Sequence, residues 1–211
     1  MGRYGRAAGV QGGSDLKAAR FLASALIVAQ GCDCLSLIAK PPEQPSPEEL
    51  ERTATRDDAE GFYAGTEIVR TAHREGDVAR MQRFAPDLLS RAASFKSDWN
   101  YGNAIHYGNL ALGRAALAGG DVEAAKKYLR AAGDTPGSPQ LNSFGPSMIL
   151  AGELLARGEK DAVLQYLDQV ELFWRDTSVG CFKVKGPSEY LATWRKDIAA
   201  GRTPDFRMQR Y

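Results

Sequence analysis

Apolar and polar residues alternate with a helical period over most of the chain after residue 57, which predicts an all-α body. Near the middle of the chain, apolar residues recur at intervals of three and four on two successive segments, as on paired amphipathic helices. The two stripes consist of Tyr107, Leu110, Ala111, Leu112 and Ala115, then Val122, Ala125, Leu129 and Ala132. Gly120 and Asp121 lie between the two stripes. Glycine can end one helix in the left-handed conformation and aspartate can cap the next, so these two residues predict a tight turn between two helices.

The same unit recurs along the chain. A shift of 44 residues places Gly76-Asp77-Val78 on Gly120-Asp121-Val122, and a further shift of 38 residues places Gly120 on Gly158. Three units are therefore expected, each with a helix, a tight turn and a second helix. One such hairpin leaves an apolar face exposed, so the units have to stack.

These units resemble the tetratricopeptide-repeat class of helical hairpin, over roughly Asp58 to Trp174. The unit Asn103–Pro136 matches best, through Leu112-Gly113 in its first helix and the Gly-Asp turn. It departs from the family at Asn109, where a tryptophan is usual, and Pro86 is expected to interrupt a second helix of the array. The resemblance implies an all-α fold, a short right-handed superhelix of about three hairpins. A C-terminal capping helix is predicted from Gly186-Pro187 to near Gly201.

The first forty residues differ from the body. The apolar run Phe21–Ala29 follows a basic segment and precedes Gly31 and Cys32, so it resembles a secretory or bacterial lipoprotein signal with Cys32 as the lipidated residue. The alternative is a buried helix of a cytosolic protein. The predicted organisation is a signal at 1–31, a proline-rich spacer and first helix start at 32–57, the repeat domain at 58–200 and a polar tail at 201–211. Ser46 and Pro47 are the expected N-cap and first residue of a helix.

Composition and charge exclude several classes of function. The 211 residues include 27 Lys+Arg and 26 Asp+Glu, so there is no strongly basic face of the kind that a nucleic-acid partner requires. Two histidines and three cysteines without zinc spacing predict neither a metal nor a cofactor. Cys34 and Cys181 either form a disulfide in an exported protein or remain thiols.

Equivalent positions in the units suggest a peptide-binding groove. Tyr63 superposes on Tyr107 and Arg70 on Arg114, and in the family that the chain resembles these positions face the concave side. Two stacked arginines could hold a carboxylate, which would favour an acidic protein or peptide partner. Alternatively, the arginines are solvated and the tyrosines only pack.

Two further regions contain candidate recognition residues. Asn103 and His106 lie one helical turn apart and form a polar patch, unless the histidine is structural. The connection 133–146 is long for a helical protein and offers Asn142 and Ser143, with Leu141 and Phe144 expected to pin it to the body. Otherwise it is an irregular connector.

Three functions follow from these features. The first is a non-catalytic scaffold that binds a protein or peptide segment, exported to the cell envelope or periplasm and attached to the membrane only through an N-terminal lipid. The second is a cytosolic helical-repeat chaperone or adaptor with Phe21–Ala29 buried. The third is an enzyme with a site near residues 99–107 and 133–146.

Overall fold

A computed structural model describes residues 45–176 and 186–206 of the chain. These residues form nine α-helices and one 3₁₀ turn, Ala93–Phe95, and include no strand, which confirms the all-α prediction. The helices are α1 Pro47–Ala54, α2 Ala59–Glu75, α3 Val78–Ala92, α4 Tyr101–Ala118, α5 Val122–Gly133, α6 Pro139–Phe144, α7 Ile149–Leu155, α8 Lys160–Phe173 and α9 Pro187–Ala199. The predictions for Phe21–Ala29, Cys32, Cys34 and Cys181 concern residues outside this described part.

The predicted helix starts and turns are confirmed. Ser46 and Glu49 form a reciprocal capping box at the start of α1: the Glu49 backbone N–H donates to Ser46 Oγ at 3.2 Å, and the Ser46 backbone N–H donates to Glu49 Oε2 at 2.9 Å. Gly76, Gly120 and Gly158 have φ angles of 77°, 86° and 88°, which side chains rarely adopt. The three predicted helix-turn-helix units are α2 with α3, α4 with α5, and α7 with α8.

Helix α4 lies at the centre of the body and contacts α2, α3, α5, α6 and α7. One continuous apolar core runs from Phe62 on α2 to Ile198 on α9. Small residues permit the close approach of neighbouring helices: a Cβ atom at Gly113 of α4 would lie 2.4 Å from Leu150 Cδ2. The burial of apolar area between all three hairpins is what holds them together.

The prediction for Pro86 is wrong. Helix α3 runs without interruption from Val78 to Ala92, although a proline inside a helix costs about 3 kcal/mol. Met81 and Ala85 precede the proline and Leu88 follows it, and all three side chains are buried. Packing on both sides therefore offsets the lost backbone hydrogen bond.

The connection 133–146 contains the short helix α6 and is not wholly irregular. Ser138 caps the helix, because its Oγ accepts from the Leu141 backbone N–H at 3.0 Å. Leu141 is buried, as expected, whereas Phe144 is 71% exposed and does not pin the segment. The prediction that this segment is held to the body is confirmed at Leu141 and wrong at Phe144.

The C-terminal part of the body closes over an aromatic cluster. Trp194 of the predicted capping helix α9 stacks on Trp174 with ring centroids 6.0 Å apart. Phe206 packs edge-on against Trp194 at 5.1 Å and is 7% exposed. The folded body therefore extends at least to residue 206, beyond the boundary at 200 that polarity alone suggested.

Candidate functional site

A groove with a volume of about 450 Å³ lies between α1, α2 and the start of α4, and α6 contributes to one end. We call it the Trp99 groove. Its lining consists of Pro45, Leu50, Thr53, Glu60, Tyr63, Ala64, Thr66, Glu67, Arg70, Trp99, Asn100, Asn103 and Gln140. Three of the residues predicted for a peptide groove, Tyr63, Arg70 and Asn103, are among them. The volume lies in the range of sites that hold small molecules or a few side chains.

An aromatic pair forms one wall of the groove. Trp99 is 52% exposed, whereas Trp174 and Trp194 are buried in the core. The Trp99 and Tyr63 rings lie 5.5 Å apart at a tilt of 44°. The Tyr63 hydroxyl donates to Asp98 Oδ2 at 2.7 Å, and this hydrogen bond raises the pKa of Tyr63. The hydrogen bond to Asp98 therefore fixes the Tyr63 ring, and the neighbouring Trp99 ring remains exposed to solvent.

A chain of side-chain amides and hydroxyls forms the second wall. Asn100 Nδ2 donates to Thr66 Oγ1 at 3.0 Å, and Asn103 Nδ2 donates to Asn100 Oδ1 at 2.9 Å. The same Asn103 nitrogen donates to Gln140 Oε1 at 2.8 Å. Asn100 and Asn103 are buried, so these hydrogen bonds fix the orientation of their amides. The outermost member, Gln140, is exposed and available to a ligand.

The segment before α6 docks tightly on the first turn of α4. Thr135 Oγ1 donates to the Gly102 carbonyl at 2.9 Å. A Cβ atom at Gly102 would lie only 1.8 Å from the Gly137 carbonyl oxygen, so only glycine permits this approach. Ser138 Oγ then donates to Asn103 Oδ1 at 2.6 Å. Residues 99–107 and 133–146, which the sequence analysis connected only in the enzyme hypothesis, therefore meet at the groove.

The two predicted groove arginines do not converge on a shared carboxylate site. Arg70 donates from Nε at 3.0 Å and from Nη2 at 2.8 Å to the carboxylate of Glu67 on its own helix. Arg114 donates from Nη2 at 2.6 Å to Glu153 of α7 and from Nη1 to the His73 carbonyl at the end of α2. Each guanidinium already has a carboxylate from the chain itself. Arg114 thus joins three helices and does not line the groove.

Tyr107 and His106 belong to the core. Tyr107 is 7% exposed, and its burial raises the pKa of its hydroxyl. His106 is fully buried, with Nδ1 3.1 Å from the Ala132 carbonyl and Nε2 accepting from the Ser147 backbone N–H at 3.2 Å. Burial lowers the pKa of His106 to about 4. His106 is therefore a buried residue that bonds to the backbone of the chain itself, as in the alternative that the histidine is structural.

Asn142 and Ser143 lie on the exposed face of α6, outside the lining of the groove. In the amide orientation that gives both the oxygen and the nitrogen of Asn142 a suitable partner, its Nδ2 donates to the Phe173 and Ser138 carbonyls, each at 3.1 Å. It therefore ties α6 to the end of α8. Ser143 is exposed beside it.

Sequence reasoning missed Thr66, Glu67 and Gln140, and it considered Trp99 only as part of the stretch 99–107. Thr66 and Glu67 were hidden because they occupy ordinary helical positions between the superposed Tyr63 and Arg70. Gln140 lies in a loop whose path the sequence does not define. The one available signal was Trp99, an aromatic residue outside every apolar stripe.

A second cleft, of about 640 Å³, lies between α7 and residues 203–206. It is the larger of the two. Arg74 and Glu153 provide charges at its edge, and Glu153 is already paired with Arg114. The Trp99 groove is the stronger candidate, because it combines an exposed aromatic ring with side-chain amides whose orientation is fixed.

The described residues contain neither a metal site nor a membrane-spanning helix. Among residues 45–176 and 186–206, no group of three or more histidine, cysteine, aspartate or glutamate side chains is arranged to hold a metal ion. In the same residues, no helix combines the length and apolar character needed to cross a bilayer. Comparison with protein families, curated proteins and solved structures finds no match to this chain. The function therefore has to be inferred from the geometry of the groove.

Proposed function

We propose that the chain is a non-catalytic helical-repeat scaffold that binds a segment of another protein in the Trp99 groove. The observation that carries the proposal is the 52% exposure of Trp99 beside a wall of fixed amides. Exposed aromatic residues supply much of the binding energy in protein interfaces, and fixed polar groups give orientation. The groove offers both without requiring the protein to reorganise.

The groove is suited to an extended peptide in particular. Its second wall ends in the exposed amide of Gln140, which can both donate to and accept from a peptide backbone. Leu50 and Ala64 give the groove an apolar part. A segment with one or two apolar side chains would bury them there and form backbone hydrogen bonds with Gln140.

The finer architecture belongs to the same proposal. The three hairpins would stack as a short right-handed superhelix similar to tetratricopeptide repeats, with α9 as the capping helix. Support comes from glycines with positive φ at the equivalent turns and from the continuous core between the hairpins. Such stacks present one face of their first helices to a partner.

Export and attachment remain predictions from residues outside the described part. The signal-like run Phe21–Ala29 and Cys32 would place the scaffold in the cell envelope, and an uncleaved chain would favour the cytosolic adaptor. The intact mass of the protein from its native host separates the two. A chain that begins at Cys32 with added acyl mass indicates an anchored scaffold, whereas an unmodified full-length chain contradicts export.

Selection from a random peptide library displayed on phage tests the proposed function. The full-length chain is the target, and each selected peptide is then measured against the variant Trp99→Ala. We expect a loss of affinity of about tenfold or more. Leu172→Ala is the matched control, because Leu172 is 68% exposed on α8 and does not line the groove. Peptides that bind Trp99→Ala as tightly as the unaltered chain would refute the groove as the binding site.

A further inference from the structure

The chemistry of the groove identifies the kind of segment that it binds, given that it binds peptides as proposed above. Two glutamates and one arginine contribute the formal charges of its lining, so carboxylates are in excess. Asp98 lies outside the lining, but its carboxylate accepts from the Tyr63 hydroxyl and therefore adjoins the aromatic pair. Glu60 pairs at 2.7 Å with Arg56, which is outside the lining, and is 68% exposed at the rim.

The one lining arginine is already engaged. Two of the three guanidinium nitrogens of Arg70 donate to Glu67, in the bidentate geometry that makes such pairs strong. An acidic segment would have to compete with a carboxylate that is attached to the same helix. It would also approach Glu60, which repels it. The pairing of Arg70 and Arg114 with carboxylates of the chain thus removes the basis for an acidic partner.

A cation meets favourable groups at the same place. The face of an indole ring attracts guanidinium and ammonium groups, and the attraction increases where water is partly excluded. Trp99 is the exposed ring, and the hydroxyl of its partner Tyr63 donates to the carboxylate of Asp98. Glu60 is the more exposed carboxylate of the lining at 68%, whereas Glu67 is 44% exposed and both its oxygens already accept from Arg70.

We infer that the Trp99 groove binds a segment of a partner protein in which an arginine or lysine lies next to an aliphatic residue. The basic side chain stacks on Trp99 between Glu60 and Glu67, and the aliphatic side chain occupies the apolar part at Leu50 and Ala64. The exposed amide of Gln140 faces the peptide backbone. The charge of the partner is thus opposite to the one that the repeated arginines suggested.

The peptides selected from the random library test this inference and the proposed function separately. Those that depend on Trp99 are resynthesised with each basic residue replaced by glutamine, and affinities are measured by fluorescence anisotropy on the full-length chain. We expect the selected peptides to carry arginine or lysine and to lose about tenfold in affinity on replacement. Their affinity should also fall as the salt concentration rises.

Other outcomes overturn one proposal or both. Peptides that depend on Trp99 but are acidic, or that bind equally well after replacement, would overturn the basic-segment inference and leave the scaffold function standing. A selection without any Trp99-dependent peptide would overturn both. The variant Trp99→Phe keeps an aromatic face and should retain more affinity than Trp99→Ala, which distinguishes ring stacking from simple filling of space.

Removal of the carboxylate at Glu67 gives an independent check. Glu67→Gln removes a negative charge and releases Arg70, so basic peptides should bind about fivefold or more weakly. Glu171→Gln is the matched control, because Glu171 forms a similar exposed pair with Arg195 at 2.7 Å on α8, away from the groove. Equal effects of the two substitutions would mean that the groove does not select for charge.

Discussion

The buried histidine at the centre of the body predicts how stability depends on pH. Ser147 N–H can only donate to Nε2 of His106, and the Ala132 carbonyl can only accept from Nδ1. The ring must therefore be neutral, and burial lowers its pKa to about 4 from the ordinary 6.5. Between these two values the unfolded chain takes up a proton that the native chain does not. Stability is therefore complete above about pH 6.5 and declines as the pH falls toward 4.

The size of the effect follows from the two pKa values. The full difference corresponds to about 3 kcal/mol, and about 2 kcal/mol of it is lost between about pH 7.5 and about pH 5. His73 acts in the same direction, because burial and then the nearby Arg114 and His106 lower its pKa as well. Asp58 stays ionised in this range, since a hydrogen bond from the Gly61 backbone N–H lowers its pKa.

Urea unfolding followed by circular dichroism at the two pH values measures the loss. The variant His106→Gln keeps a donor and an acceptor but cannot titrate, so its free energy of unfolding should change by about 2 kcal/mol less than that of the unaltered chain. Equal pH dependence in both proteins would refute the reasoning. If the variant fails to fold, NMR titration of the unaltered protein serves instead: an imidazole signal of His106 that titrates near pH 6.5 contradicts the buried neutral ring.

Three further substitutions, two of them paired with a control substitution, test other parts of the structure. Gly102→Ala should lower the free energy of unfolding by about 3 kcal/mol or more, because its Cβ would collide with a backbone carbonyl; Gly65→Ala, whose Cβ would meet only a methyl group at 3.7 Å, should cost nothing. Phe206→Ala should cost about 3 kcal/mol and Phe144→Ala less than about 0.5 kcal/mol, since the first ring is buried and the second is exposed; an equal shift in melting temperature would contradict the closed C-terminal cluster. Ser46→Ala removes the capping box of α1, so amide hydrogens of α1 should exchange several-fold faster, and unchanged exchange rates would show that packing alone holds the helix.

The sequence predicted the local features of the fold well, because their causes are local. The turn at Gly120 depends only on the conformational freedom of that residue. The cap at Asp121 depends on one side chain that accepts from the backbone N–H of Ala124, three positions along the chain. The start of α9 at Pro187 depends on local sequence in the same way, because proline suits the first turn of a helix. Pro86 was misjudged because tertiary packing, which offsets the cost of the proline, is not visible in a local pattern.

The candidate site was only partly predictable, because its geometry depends on long-range contacts. Superposition of the repeats identified Tyr63 and Arg70, which line the groove. It could not show that the guanidinium of Arg70 would pair with the carboxylate of Glu67. Equivalent positions in the units also differ in burial: Tyr63 lines the groove, whereas Tyr107 lies in the core. Repeat symmetry therefore indicates where a helix lies, but the neighbours that make each position exposed or buried are not repeated.

The hydrogen bonds around Ser147 have a consequence for how such an array can evolve. His73 Nε2 lies 3.0 Å from Ser147 Oγ, His106 Nε2 accepts from the Ser147 backbone N–H, and the Tyr166 hydroxyl donates to the Ser147 carbonyl at 3.0 Å. His73, His106 and Tyr166 come from three different hairpins, and each contacts a different atom of Ser147. A duplicated hairpin would bring a buried polar group for which Ser147 has no further partner atom, at a cost in free energy. The three hairpins are therefore not interchangeable modules, even though their turns are alike.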